Sequence, residues 1–253
     1  MKKVFTVFAV CFSVVSFSFS EALNFDQLNT YLEDTYLEPM AKDIGSVLAG
    51  NMFHSGRNLG FPGFDIGFGL ALSTKPNKDN KILRESFGTQ NNPKDVMFGL
   101  PFIQASIGLP KKIDVIVRGF PKTNDINLFG VGVKYCIVEE ELAVVKLGWS
   151  VMYSYNSLEF ATFKSNVNSL TTMFSVKIPV VEPYVGIAID RTSLKTELSA
   201  QDLGIRANLD VTTTVPRYIV GFNLSPLPFT YINVAGTYLV DHLGVDFGLG
   251  LKF

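Results

Sequence analysis

Little in this sequence is arranged for covalent chemistry. The two histidines, His54 and His242, stand far apart, and neither has cysteines or carboxylates at zinc-ligand spacing. Asp241 directly precedes His242, an acid–histidine pairing of the kind some hydrolases use. Adjacent residues of an extended chain point to opposite faces, however, so the two do not align. No serine, histidine and acid form a nucleophilic triad pattern. Of the two cysteines, Cys11 lies in an apolar N-terminal run. Cys136 has neither a disulfide partner nor a base to activate it and is read as filling space. Gly67 and Gly69, like Gly248 and Gly250, form Gly-x-Gly pairs, but neither opens a helix after a strand as a nucleotide loop must. The expectation is a non-enzyme with no metal and no cofactor.

Composition narrows the classes further. The chain has 253 residues, 47% hydrophobic and 18% charged, with 22 phenylalanines. That apolar share excludes disorder. Lys2 and Lys3 belong to a leader; the remaining 20 basic residues against 23 acidic ones give −3, which leaves no polybasic footprint for nucleic acid. Mean hydropathy is +0.25, yet after residue 20 no uninterrupted apolar run reaches the length of a membrane-spanning helix. Another kind of element must carry the apolar surface.

Residues 1–20 read as a secretory signal: Lys2-Lys3, an apolar run from Val4 to Phe19, and the small-x-small site Ser18-Phe19-Ser20 before Glu21. Ser20-Glu21-Ala22 is a second site of the same kind. Residues 21–63 form an N-terminal helical segment and connector. Over 24–49, Phe25, Leu28, Tyr31, Leu32, Met40, Ile44, Val47 and Leu48 recur at helical steps. Pro39 should begin or kink a second helical piece, and Gly50 should stop it.

From Phe64 onward the period is two. Ten alternating segments fall near 64–73, 96–108, 112–120, 126–137, 142–155, 165–178, 183–196, 210–224, 228–239 and 243–253, each about the 9–11 residues of a tilted membrane-crossing strand. Their connections alternate between tight turns, at Pro110-Lys111, Glu139–Glu141, Val180–Glu182 and Pro226-Leu227, and longer loops, 74–95 and 197–209 above all; only the last, Val240–His242, is short where a longer one is allowed. Tyr135, Trp149, Tyr153, Tyr155, Tyr218, Tyr231 and Tyr238 suit interfacial girdles. The fold expected for 64–253 is an antiparallel transmembrane β-barrel of about ten strands, preceded by an amphipathic helical segment.

Strand parity then selects the lumen. Asp65, Asp114, Arg118, Lys134, Lys146, Lys177, Asp190, Arg217, Asp246 and Lys252 face inward, as a pairing network or as a polar path, with Arg118 the leading functional residue. A secreted helix must cover its apolar stripes, so Leu28, Leu32, Met40 and Ile44 are expected to form a plug helix. Gly67, Gly69, Gly248 and Gly250 share the inward face of strands that must be neighbours on closure, and offer a smooth wall for it.

The signal, the alternating strands and the terminal Gly248-Leu249-Gly250-Leu251-Lys252-Phe253 resemble bacterial outer-membrane barrels. That resemblance implies lipid as the surrounding partner and Phe253 as the residue read by the barrel-assembly machinery. The helical N-terminus before Gly63-Phe64-Asp65, with Ile107–Pro110 and Val117–Pro121, is similar to an uncharacterised group of small outer-membrane proteins. A looser similarity to FadL-type transporters of hydrophobic molecules rests on the plug-like segment, without their Asn-Pro-Ala motif. Together these imply a small outer-membrane channel or transporter, with a hydrophobic small molecule as its ligand and the helix as its plug. The alternatives are a structural or interaction barrel and, least of all, an outer-membrane hydrolase.

Overall fold

The computed structural model describes residues 34–74, 79–80, 98–120, 126–160, 163–200, 205–239 and 242–253. Residues 1–20, read above as a leader, and Leu28 and Leu32 lie outside these residues. A helix, α1 (Asp34–Ala49), precedes ten strands: β1 (Phe64–Ser73), β2 (Phe98–Leu109), β3 (Ile113–Phe120), β4 (Ile126–Leu142), β5 (Val145–Phe160), β6 (Phe163–Lys177), β7 (Val181–Ala200), β8 (Ile205–Leu224), β9 (Thr230–Leu239) and β10 (His242–Lys252). Each strand pairs antiparallel with its sequence neighbours, and β10 returns to β1 from Asp65↔Lys252 to Ser73↔Gly244, closing the barrel.

Alternation decides which way each side chain points. On β7, Val185, Ile187 and Ile189 are exposed while Tyr184, Ala188, Asp190 and Thr192 are buried. Leu170 and Phe174 of β6 face outward, and Ser169, Thr171 and Ser175 face inward. An apolar outer wall around a polar interior inverts the pattern of a soluble sandwich, and only lipid covers such a surface without cost. The chain is a transmembrane β-barrel.

Several local expectations change. The Glu139–Glu141 run is not a turn: it continues β4 against β5, with Glu141 opposite Lys146, and the chain reverses at Ala143-Val144. A bulge between Cys136 and Val138 adds a residue to β4 and leaves Cys136 fully buried. Asymmetry between the barrel ends lies partly in strand length, because β7 and β8 run 20 residues each, about twice what a crossing needs. Tyr231 is not a girdle residue. It shares inward parity with Asn233 and Ala235, and its hydroxyl donates to Asp65 at 3.0 Å. Tyr135, Trp149, Tyr153, Tyr218 and Tyr238 are exposed.

α1 lies inside the barrel. It packs most closely on β6, β7 and β8 and also touches β1, β2 and β5, contacts that a helix outside the wall could not combine. The helix continues through Pro39 rather than restarting there. It ends with Asn51 in the left-handed conformation (φ 51°), a usual helix stop. Gly50 serves another need, since a Cβ there would sit 2.9 Å from Ala71 and from Asp246. A helix about 10 Å across with side chains fits because Ser165, Ser169, Thr171, Ala188 and Thr192 leave the facing wall shallow. The approach is close at Gly45, where a Cβ would lie 3.0 Å from that of Thr192.

The glycine wall is filled differently from the sequence expectation. Gly69 is covered by the Phe102 ring, Gly67 and Gly250 by Tyr231, and Gly248 by Asn51 and Asn233. Neighbouring side chains claim that space, so the helix takes the Ser/Thr wall across the lumen.

At the closing seam, Phe253 exchanges backbone hydrogen bonds with Phe64 (3.0 and 2.8 Å). Its ring stacks on Phe64 at 4.8 Å and on Phe229 at 5.4 Å. Phe253→Ala keeps the backbone bonds and loses both ring contacts, together about 1–3 kcal/mol. We expect its heat-modifiable gel transition at a lower temperature than that of the wild type; an unchanged transition would show that the stack contributes nothing.

Candidate functional site

The lumen has two tiers. Toward the end where β1 meets β2 through the long connection, Leu100, Phe102, Leu128, Leu158, Phe163 and Leu194 form one apolar cluster with Leu37, Met40, Ile44 and Leu48, beside the Ser/Thr wall of β6 and β7. Met40 and Ile44 of the expected plug are both buried. Toward the short turns the wall is polar and faces the connector, residues 50–63.

The tiers meet where α1 ends. The last carbonyls of a helix have no internal partners and carry about half a negative charge. Arg118 on β3 donates to Gly50 O at 2.6 Å and also to Leu48 O. From β8, diametrically across the barrel, Arg217 donates to Ala49 O at 3.2 Å. Both guanidiniums are buried. Arg217 is also paired with Asp190, Nε to Oδ2 at 2.6 Å, and Ser169 donates to that same carboxylate. Arg118 hydrogen-bonds only neutral groups: the two carbonyls and Asn156 Oδ1 at 2.8 Å. Phe102 lies 4.8 Å from its guanidinium carbon. On the far side of the helix end, Asp246 accepts from Asn51 N–H at 3.0 Å. Arg118, Arg217, Asp190 and Asp246 therefore form one constellation around the terminus of α1.

Below it, the connector is pinned nearly residue by residue. His54 O accepts from Asn223, Ser55 donates to Glu182 and Gly56 N–H to Ser175. Arg57 Nε donates to Glu139 at 3.2 Å, and Lys134 donates to Arg57 O at 2.6 Å. The Leu59 amide reaches both oxygens of Asp114, which also pairs with Lys134 at 2.7 Å. His54 is not a solvated loop residue. Its ring stacks on Tyr231 at 4.9 Å, and its Nδ1 has no partner among the described residues. It lines a void of about 30 Å³ with Asp65, Gln104, Asp114, Lys134 and Lys252, and a second void beside Arg217 and Asp246 is about 10 Å³. Such spaces hold a water or two, not a solute.

Of the other inward residues, Lys146 and Lys177 sit at the short-turn rim, where Lys146 pairs with exposed Glu141 and Lys177 with Ser225. Among the described residues no His/Cys/Asp/Glu group could hold a metal ion. Sequence parity missed Glu182, although it alternates in step with Asp190 on β7. It also missed the uncharged partners Asn156, Asn223 and Asn233, because only charges were followed. The connector's main-chain carbonyls, the chief acceptors here, leave no signal in a sequence.

Asp114 tests this network. Asp114→Ala strands the buried Lys134 ammonium and the Leu59 amide, which should cost about 3–5 kcal/mol. Adding Lys134→Met removes the stranded charge and should recover most of that loss in urea unfolding of the vesicle-inserted barrel. If the double variant is no more stable than Asp114→Ala, the pair is not what matters at this position.

No curated protein matches the sequence. The solved structures similar to it are small barrels. OprG of Pseudomonas aeruginosa is 13% identical over 79% of this chain and 99% of its own, with a TM-score of 0.41. The N-terminal barrel domain of OprF from the same organism is 12% identical over 76% and 98%, TM-score 0.34. The outer-membrane protease OmpT of Escherichia coli is 12% identical over 79% and 99%, TM-score 0.39. Likenesses this distant carry no inference about activity. At the level of family the match spans the chain, over residues 1–96 and 87–253. With its barrel, its filled lumen and this end-to-end match, the chain belongs to the family of unknown function DUF6588.

Proposed function

We propose that this protein is a small conduit of the bacterial outer membrane, exported by the leader at residues 1–20 and held shut by its own N-terminal helix. Barrel-assembly machinery inserts it by way of the terminal strand and Phe253. The short turns face the periplasm, as is usual for such barrels, and the long-loop end faces outward. The observation that carries this reading is the way α1 is held. Its body meets the wall largely through apolar contacts, which are non-directional, and its directional bonds fall at two places, Asp43 with Asn80 and the last turn with Arg118 and Arg217. Such a helix can leave as a unit once those few bonds are released. The apolar upper tier favours a hydrophobic small molecule as cargo, since polar solutes would cross it at a desolvation cost. Nothing in the site calls for catalysis.

One observation favours the alternative, a structural or interaction barrel without transport. The connector below α1 is bonded at His54, Ser55, Gly56, Arg57 and Leu59, as a permanent filling would be. The two readings part at a locked helix. A Cβ at position 45 lies 3.0 Å from Thr192 Cβ, so a modest outward shift brings the pair into the roughly 3.5–4.5 Å range of a disulfide. In a Cys136→Ala background, Gly45→Cys with Thr192→Cys should silence conductance in planar bilayers when oxidised and restore it when reduced. Deleting residues 24–49 should raise small-solute leakage while the heat-modifiable barrel still assembles. If the reduced, oxidised and deleted forms are equally silent, the structural reading replaces this one.

A further inference from the structure

We infer that the N-terminal segment crosses the membrane through its own barrel, so that the residues preceding Asp34 leave by the long-loop mouth. The path is fixed by successive contacts. At the short-turn end, Gly63 O accepts from Gly108 N–H at 2.8 Å, and Phe64 pairs with Phe253. Moving toward the N-terminus, Leu59 is tied to the start of β3 and Arg57 to the far part of β4. His54 is tied to the end of β8, all still near the short turns. Asn51, Gly50 and Ala49 then meet Asp246, Arg118 and Arg217 at mid-barrel. Gly45 faces Thr192, twelve residues into β7, and Asp43 accepts from Asn80, beyond the far end of β1. The order is monotonic, and the 16 residues of α1 cover about 24 Å of that path.

The chain that passes up the lumen has no room to come back. From Leu37 to Phe53 nearly every residue is buried, with Glu38 alone exposed. The voids beside the connector, about 10 and 30 Å³, take a water or two and not a second polypeptide strand. The segment ahead of α1 and the short turns therefore lie on opposite faces of the membrane. The barrel acts as the route by which its own N-terminal segment crosses the membrane.

Which face is the cell exterior rests on the orientation proposed above; the transit does not. Single cysteines in a Cys136→Ala background test both, read as labelling by a membrane-impermeant maleimide before and after permeabilising cells. Asn24→Cys and Ser86→Cys, the latter in the β1–β2 connection, should label equally in intact and permeabilised cells, and Lys111→Cys only after permeabilisation. The transit is overturned if position 24 labels together with position 111 and apart from position 86. If 24 and 86 label together only after permeabilisation while 111 labels on intact cells, the transit stands and the orientation falls. Asn29→Cys provides an independent second position, and the heat-modifiable band identifies any variant that has not folded.

Discussion

Everything inside this barrel turns on how a helix can end in the middle of a membrane. The last turn of α1 presents carbonyls that water would normally satisfy, at a depth where the wall excludes bulk solvent. Arg118 and Arg217 reach them from opposite sides, so one buried cation meets each flank of the helix terminus. The arrangement works in both directions. Arg217 has Asp190 as a counter-ion, whereas the hydrogen bonds of Arg118 go to neutral acceptors, two of them carbonyls at the helix end, with Asp246 as a nearby opposite charge. Without the helix, Arg118 would be a buried charge lacking its main partners, a costly state for any interior.

Volume is the second constraint. Side chains alone can fill a barrel of eight strands, and one of ten is somewhat wider. The extra width admits a helix only where the inward residues are small, as along β6 and β7. There Ser165, Ser169, Thr171, Ala188 and Thr192 are the buried inward residues, and Thr192 meets Gly45 of α1. Where glycines would have offered even more room, between β1 and β10, Phe102 and Tyr231 take it instead. The helix is off-centre because the bulky aromatic rings are.

The tiers divide the work of holding the chain. Apolar contact around α1 stabilises it without prescribing its register, and the hydrogen bonds below set where it stops. A single pass of polypeptide, apolar at one end of the lumen and polar at the other, unites the closed state and the route taken by the N-terminus. Both follow from a lumen filled by one segment running one way.

The sequence by itself determined the barrel. Strict two-residue alternation over ten segments leaves each strand only one way to face lipid, and Asp65, Asp114, Arg118, Asp190, Arg217 and Asp246 all turn inward by that rule. It also made the helical period around Met40 and Ile44 legible, because both patterns are local. Tertiary structure alone decided where Glu139–Glu141 and Tyr231 went, because a strand end and a girdle depend on what the neighbouring strand pairs with. It alone decided that the helix would avoid the glycine wall, since rings from the paired strands β2 and β9 enter that space only once register is set. The latch at the end of α1 was decided there as well. Its acceptors are main-chain carbonyls, alike for every residue type, and only the folded chain brings them to Arg118 and Arg217.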